Sequence, residues 1–185
     1  WATASTPITG TTRYLKAAGF GFTIPLNATI LGFLVEYERA RVGLEYAIAD
    51  PTLVPSVTDA VVRLAKGGAL VGGNKAAPGA WPTVDTYQSY GGAADLWDET
   101  WTPAEVNASG FGAFLAAAIT LRAPLSAPVE AARVDHVRIS VTYETFSEPI
   151  VLDAVVVGDA VEVEDLSAPS GTVGCILDFS HWLLG

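Results

Sequence analysis

TILGFLVEYER (residues 29–39) alternates apolar and polar side chains, with Leu31, Phe33, Val35 and Tyr37 on one face and Glu36 and Glu38 on the other. Successive side chains of a strand point to opposite faces, so this spacing predicts a β-strand with one face in a core and the other in water. RVDHVRISVTY (residues 133–143) repeats the pattern, placing Val137, Ile139, Val141 and Tyr143 inward and His136, Arg138, Ser140 and Thr142 outward. Two half-buried strands of this kind belong to an antiparallel sheet. Further strands are expected at 12–17, 19–24 (Phe20, Phe22 and Ile24 in step), 59–65, 68–72 and 112–121, set apart by Gly, Pro and Asn. GAFLAAAITL (112–121) is rich enough in Ala to be helical on propensity. The alternation of Phe111, Ala113, Leu115, Ala117, Ile119 and Leu121 decides for strand. One short helix is expected at 103–108, where Thr102 serves as N-cap, Pro103 opens the first turn and Glu105 completes a capping box. The fold class is therefore all-β: an antiparallel β-sandwich, jelly-roll-like, with that helix and a C-terminal β-rich extension.

The chain has 185 residues, half of them hydrophobic and 16% charged, with 18 Gly and 11 Pro. That is enough apolar material for one domain with a real core, and it excludes disorder across the whole chain. The net charge of −10 is unevenly spread. Residues 1–143 hold 12 acids against 10 bases; residues 144–185 hold 8 acids and no Lys or Arg. This divides the chain into a nearly neutral sandwich (1–143) and an acidic β-hairpin extension (144–185). In the extension, IVLDAVVV (150–157) and AVEVE (160–164) read as two strands joined at Gly158-Asp159, with a third strand expected at 172–179. A two- or three-stranded sheet is marginal alone, so the extension is expected to pack on the main body or on another subunit. Val161, Val163, Ile176, Leu177, Phe179, Trp182 and Leu183 are the candidate assembly contact, since an apolar patch of that size is rarely left exposed on a monomer.

Ten scattered bases supply no basic face, which argues against nucleic acid and an anionic membrane surface as partners. No apolar run reaches 18 residues, and residues 1–10 lack the regions of a signal peptide. A start at Trp1 and the lack of Met point to a processed or truncated product, or to a sequence that lacks its first residues. Cys175 is the only cysteine and cannot form an internal disulfide.

The densest group of chemistry-bearing residues is 81–101. Trp81, Tyr87, Tyr90, Trp97 and Trp101 lie there among Asp85, Asp95, Asp98 and Glu99. Rings beside carboxylates suit a glycan, because a flat ring covers the apolar face of a sugar while acids accept from its hydroxyls. Trp81, Tyr87, Tyr90, Asp95, Trp97, Asp98 and Trp101 are thus the candidate glycan-binding residues. The competing reading has the same rings pack a long connection onto the sandwich. Asp95, Asp98 and Glu99 also have the chemistry of a Ca²⁺ site, although no EF-hand spacing is present; no other cofactor is implied. No enzyme is expected. G-x-S-x-G is missing, and adjacent Asp135 and His136 in a regular strand point to opposite faces. Two His and one Cys argue against a structural zinc site. KGGALVGGNK (66–75) lacks the Lys that a phosphate loop needs directly after its second Gly. Asn27-Ala28-Thr29 and Asn107-Ala108-Ser109 match N-glycosylation sequons.

One ordered set of motifs extends beyond composition: YLKAAGFGFTIP (14–25), ATILGFLVEYER (28–39), VRLAKGG (62–68), GNKA (73–76), WPTVD (81–85), SYGG (89–92), DLW (95–97), TWTPA (100–104), VNASGFG (106–112) and VDHVRISVTY (134–143). Over about residues 11–143 it resembles a β-sandwich module that recurs in phage and prophage virion surface proteins. The resemblance implies a non-enzymatic role as capsid decoration, fibre or tail-associated protein. Its location is then the virion surface, and its partners are other virion proteins and further copies of itself.

Overall fold

The computed structural model describes residues 2–5, 10–42, 56–120, 131–145 and 170–178. Two five-stranded antiparallel sheets face each other. The first holds β1 (Ala2–Ser5), β9 (Ala131–Thr145), β4 (Ala28–Val42) and β7 (Thr86–Gly92) in that order, with β10 (Ser170–Asp178) also on β9. The second runs from β2 (Gly10–Thr11) through β8 (Gly112–Thr120) and β5 (Ser56–Lys66) to β6 (Ala69–Val71), with β3 (Leu15–Ala18) also on β8. The pairs β5–β6, β4–β7, β3–β8 and β1–β9 are nested, as in one long hairpin rolled over on itself. This is a jelly-roll arrangement. Its tip is a two-residue turn, Gly67-Gly68, with φ of +56° and +84°, the geometry a type I′ hairpin demands of both positions.

The alternating stripes read from the sequence fill the space between the sheets. Phe33, Val35 and Tyr37 of β4 and Val137, Ile139 and Val141 of β9 meet Val57, Val62 and Leu64 of β5 and Ala113, Leu115, Ala117 and Ile119 of β8. The Ala-rich segment is a strand, as its alternation requires. The helix α1 (Pro103–Asn107) carries both bonds of the capping box: Glu105 N–H donates to Thr102 Oγ1, and Thr102 N–H donates to Glu105 Oε2.

Three local expectations change. Residues 12–17 do not make one strand, because the ladder breaks at 12–14 between β2 and β3. Residues 19–24 make none: Gly19 and Gly21 have φ of +80° and +72°, outside strand geometry. Phe20, Phe22 and Ile24 are nonetheless all buried. Leu31 is half-buried and Ile30 is the inward residue, since a bulge between Ile30 and Gly32 shifts the parity of β4. The expected third tail strand is β10, antiparallel along β9 from Ser170 opposite Glu144 to Asp178 opposite His136. The hairpin expected at 150–164 lies outside the described residues.

Candidate functional site

Asp59 lies at a bulge in β5, where the register skips Ala60. The side chain of Asn74 stitches the bulge, donating from Nδ2 to Ala60 O at 3.0 Å and accepting from Val62 N–H at 2.8 Å. The bulge turns Asp59 inward beside Val57 and Val62, and its carboxylate is fully buried. It pairs with the Arg39 guanidinium and accepts from Trp81 Nε1–H (2.8 Å), Tyr90 O–H (2.8 Å) and Ala77 N–H (3.0 Å). The guanidinium of Arg39 stacks 4.9 Å over the Trp81 ring and 5.7 Å over that of Tyr90. A buried ion pair survives only when further hydrogen bonds satisfy its remaining atoms, and these aromatic donors do so. Burial, reinforced by the Asp59 carboxylate, raises the hydroxyls of Tyr37 and Tyr90 far above their ordinary range. Trp81 and Tyr90 are therefore parts of a node that ties the two sheets together.

Trp97 and Trp101 are also in the core. Trp97 plugs the connection between β7 and α1 with φ of 60°, followed by Asp98 at 58°. Its N–H donates to Asp95 Oδ1 (2.8 Å), its carbonyl accepts from Gly73 N–H (2.8 Å), and its Nε1–H donates to Phe33 O (3.1 Å). Gly91 lets this ring approach: a Cβ there would meet both Trp97 Nε1 and the Phe33 carbonyl. Trp101 packs against Phe33 and Phe111 and donates from Nε1 to Leu96 O. Of the five candidate rings only Tyr87 is exposed, at 37%, and Arg138 stacks on it at 3.5 Å.

Asp95 and Asp98 line a shallow, open depression of about 690 Å³ with Lys75, Glu99 and Thr100. Lysines meet two of its acids: Lys75 is 2.8 Å from Asp95 and Lys66 3.8 Å from Glu99. Burial acts to raise the Asp95 carboxyl, but the Lys75 ammonium and the Trp97 N–H outweigh it and hold the group below its ordinary value. The sequon residue Asn107 is engaged too, accepting from Ile24 N–H and donating to Ile24 O, both at 2.8 Å.

On the outer face of the first sheet, Glu36 and Glu38 of β4 stand beside Arg138 and His136 of β9. Burial, together with the nearby Glu38 carboxylate, raises the Tyr87 hydroxyl. Asp135 and His136 do not diverge as strict alternation requires. A register shift in β9 turns both outward, 3.5 Å apart. Of the candidate assembly residues, Ile176 and Leu177 lie on β10, at the register positions of Arg138 and Val137. Val161, Val163, Phe179, Trp182 and Leu183 lie outside the described residues.

Reading the sequence by motif missed Arg39, Asp59 and the meeting of Asp135 with His136. The signal for Arg39 was present, since it shares the parity of Phe33, Val35 and Tyr37. Comparison with family models, curated proteins and solved structures finds no match.

Proposed function

We propose that this chain is a non-enzymatic structural protein of a bacteriophage particle surface, a decoration, fibre or tail-associated component that assembles through residues 144–185. The observation that carries the proposal is the base-free acidic segment, 8 acids without one Lys or Arg, appended to a nearly neutral jelly roll. Such a segment suits a basic patch on a neighbouring protein or copy, with charge setting register and partner choice. The resemblance of the ordered motif set over 11–143 to phage virion surface modules supports the virion setting. Jelly rolls build viral shells and lectins alike, so the architecture agrees with this reading without choosing it. A glycan-binding role has less support, because Trp81, Tyr90, Trp97 and Trp101 have no open ring face.

Sedimentation of the intact chain, of a chain lacking 144–185, and of a variant with Asp159, Glu162, Glu164 and Asp165 changed to their amides tests the proposal. Loss of self-association or particle binding in both altered chains is expected. The amide variant keeps β10, so its loss cannot be blamed on an uncovered β9. Unchanged sedimentation of both would sink the assembly role.

A further inference from the structure

The centre of the first sheet carries a donor set that the particle role does not use. The β4–β9 register passes from Tyr37–Val137 to Arg39–Val134, so β9 accommodates an extra residue opposite Glu38. Bulges of this kind re-aim side chains, and here Asp135 and His136 both face outward beside Glu38. His136 Nδ1 lies 2.5 Å from Glu38 Oε2 and 3.5 Å from Asp135 Oδ2. One donor atom from each of the three residues falls within 4.8 Å of the other two. We propose that Glu38, Asp135 and His136 form a binding site for a divalent transition-metal ion of the zinc type.

The donor chemistry selects the class of ion. One imidazole nitrogen with two carboxylates suits Zn²⁺ and its neighbours, whereas Ca²⁺ and Mg²⁺ take oxygen. Metal–ligand bonds of about 2.1 Å in a tetrahedron set neighbouring donors about 3.4 Å apart. The His136–Asp135 separation of 3.5 Å already fits. The 2.5 Å His136–Glu38 contact has to open by about 1 Å, a side-chain rotation on fixed strands. Ligation needs an unprotonated Nδ1, so any proton between it and Oε2 leaves for the second ring nitrogen or for solvent.

A separate observation points to a missing partner. Asp135 Oδ1, the oxygen next to the one that faces His136, is buried and accepts no hydrogen bond, a costly state that a cation held by both oxygens of the carboxylate would relieve. Arg138, two residues along the same face, is 3.4 Å from Glu36 and stacked on Tyr87, so its charge is matched by Glu36. Register sets Asp178 of β10 opposite His136. The scarcity of His and Cys argues against a closed four-ligand zinc centre. An open three-residue site on a rigid sheet face needs only one His.

Titration calorimetry of the full chain with Zn²⁺ alone tests this. One saturable site per chain is expected. Glu38→Gln and His136→Ala should each weaken it about tenfold or more, the loss that removal of even an outer partner of a ligand causes. Co²⁺ in place of Zn²⁺ should give a visible absorption band that both variants lose. Absence of saturable binding overturns the proposal. So does an isotherm that neither variant changes, which would assign the ion to other acids of the chain. Should His136→Ala fail to fold by circular dichroism, the near-isosteric Glu38→Gln, at a side chain that is 20% exposed, decides alone.

Discussion

Asp59 and Tyr37 sit close enough for the carboxylate to act on the hydroxyl, yet they face opposite energetic situations. Asp59 is a charge taken out of water whose partners are all supplied: Arg39, Trp81, Tyr90 and the Ala77 N–H. Asp59→Ala strands the Arg39 guanidinium and leaves two ring donors unmet. It should lower unfolding free energy by about 3–5 kcal/mol, the usual cost of breaking one side of a buried pair. The Tyr37 hydroxyl, by contrast, is buried with no hydrogen-bond partner. Tyr37→Phe keeps the ring and its edge contact with Tyr90 while removing the orphan, so a gain of about 1 kcal/mol is expected. Urea denaturation of both variants checks the pair of signs; a loss for Tyr37→Phe would show that the hydroxyl is satisfied. Neither residue stands out in the sequence by type. The trace is Arg39, a charged residue with core parity, whose partners Asp59, Trp81, Gln88 and Tyr90 lie 20 to 51 positions away.

At the scale of elements, the alternation of a segment reports which side chains are buried and leaves open whether its backbone joins a ladder. Residues 19–24 illustrate the difference, with three inward side chains on a backbone that two left-handed glycines keep out of the sheet. Their neighbour is a side chain: Asn107 completes both hydrogen bonds at Ile24 that an adjacent strand would otherwise make. Asn107→Ala should cost about 2 kcal/mol for two part-buried bonds. It should also speed hydrogen exchange at Ile24 while leaving amides of β4 and β9 protected. Unchanged exchange at Ile24 would mean that the packing of Phe20 and Phe22 suffices. Bulges set a second limit to periodic reading. Each one reverses parity for the rest of its strand, so Leu31 was placed on the wrong face and Asp135 and His136 were wrongly separated. The capping box was legible because all its parts lie within four residues.

For the whole molecule, the all-β class follows from alternation, but the nested order of pairs joins residues more than 100 positions apart and no local pattern encodes it. The same distance hides the fate of the rings at 81–101. Their composition suits a sugar, and tertiary packing puts four of the five inside. Burying Tyr90 there beside Tyr37 should make the fold sensitive to alkali. Tyr37 and Tyr90 ionise far above the ordinary value of 10.0 when folded, because burial and the Asp59 carboxylate disfavour the phenolate. Their contribution to stability is complete below that value. Above it the unfolded chain sheds protons that the folded chain keeps, so stability falls as pH rises. Two such groups give a slope of about 2.7 kcal/mol per pH unit. A titration followed by tyrosinate absorbance and by far-ultraviolet circular dichroism should separate the chain's six tyrosines into two sets. One ionises with the fold intact, and the other appears only as the sheet signal is lost. Tyr37→Phe should shrink the second set and lessen the slope by about half. Ionisation of all six near the ordinary value with unchanged dichroism would mean that water reaches the Arg39–Asp59 node, and with it that the node does not hold the two sheets closed.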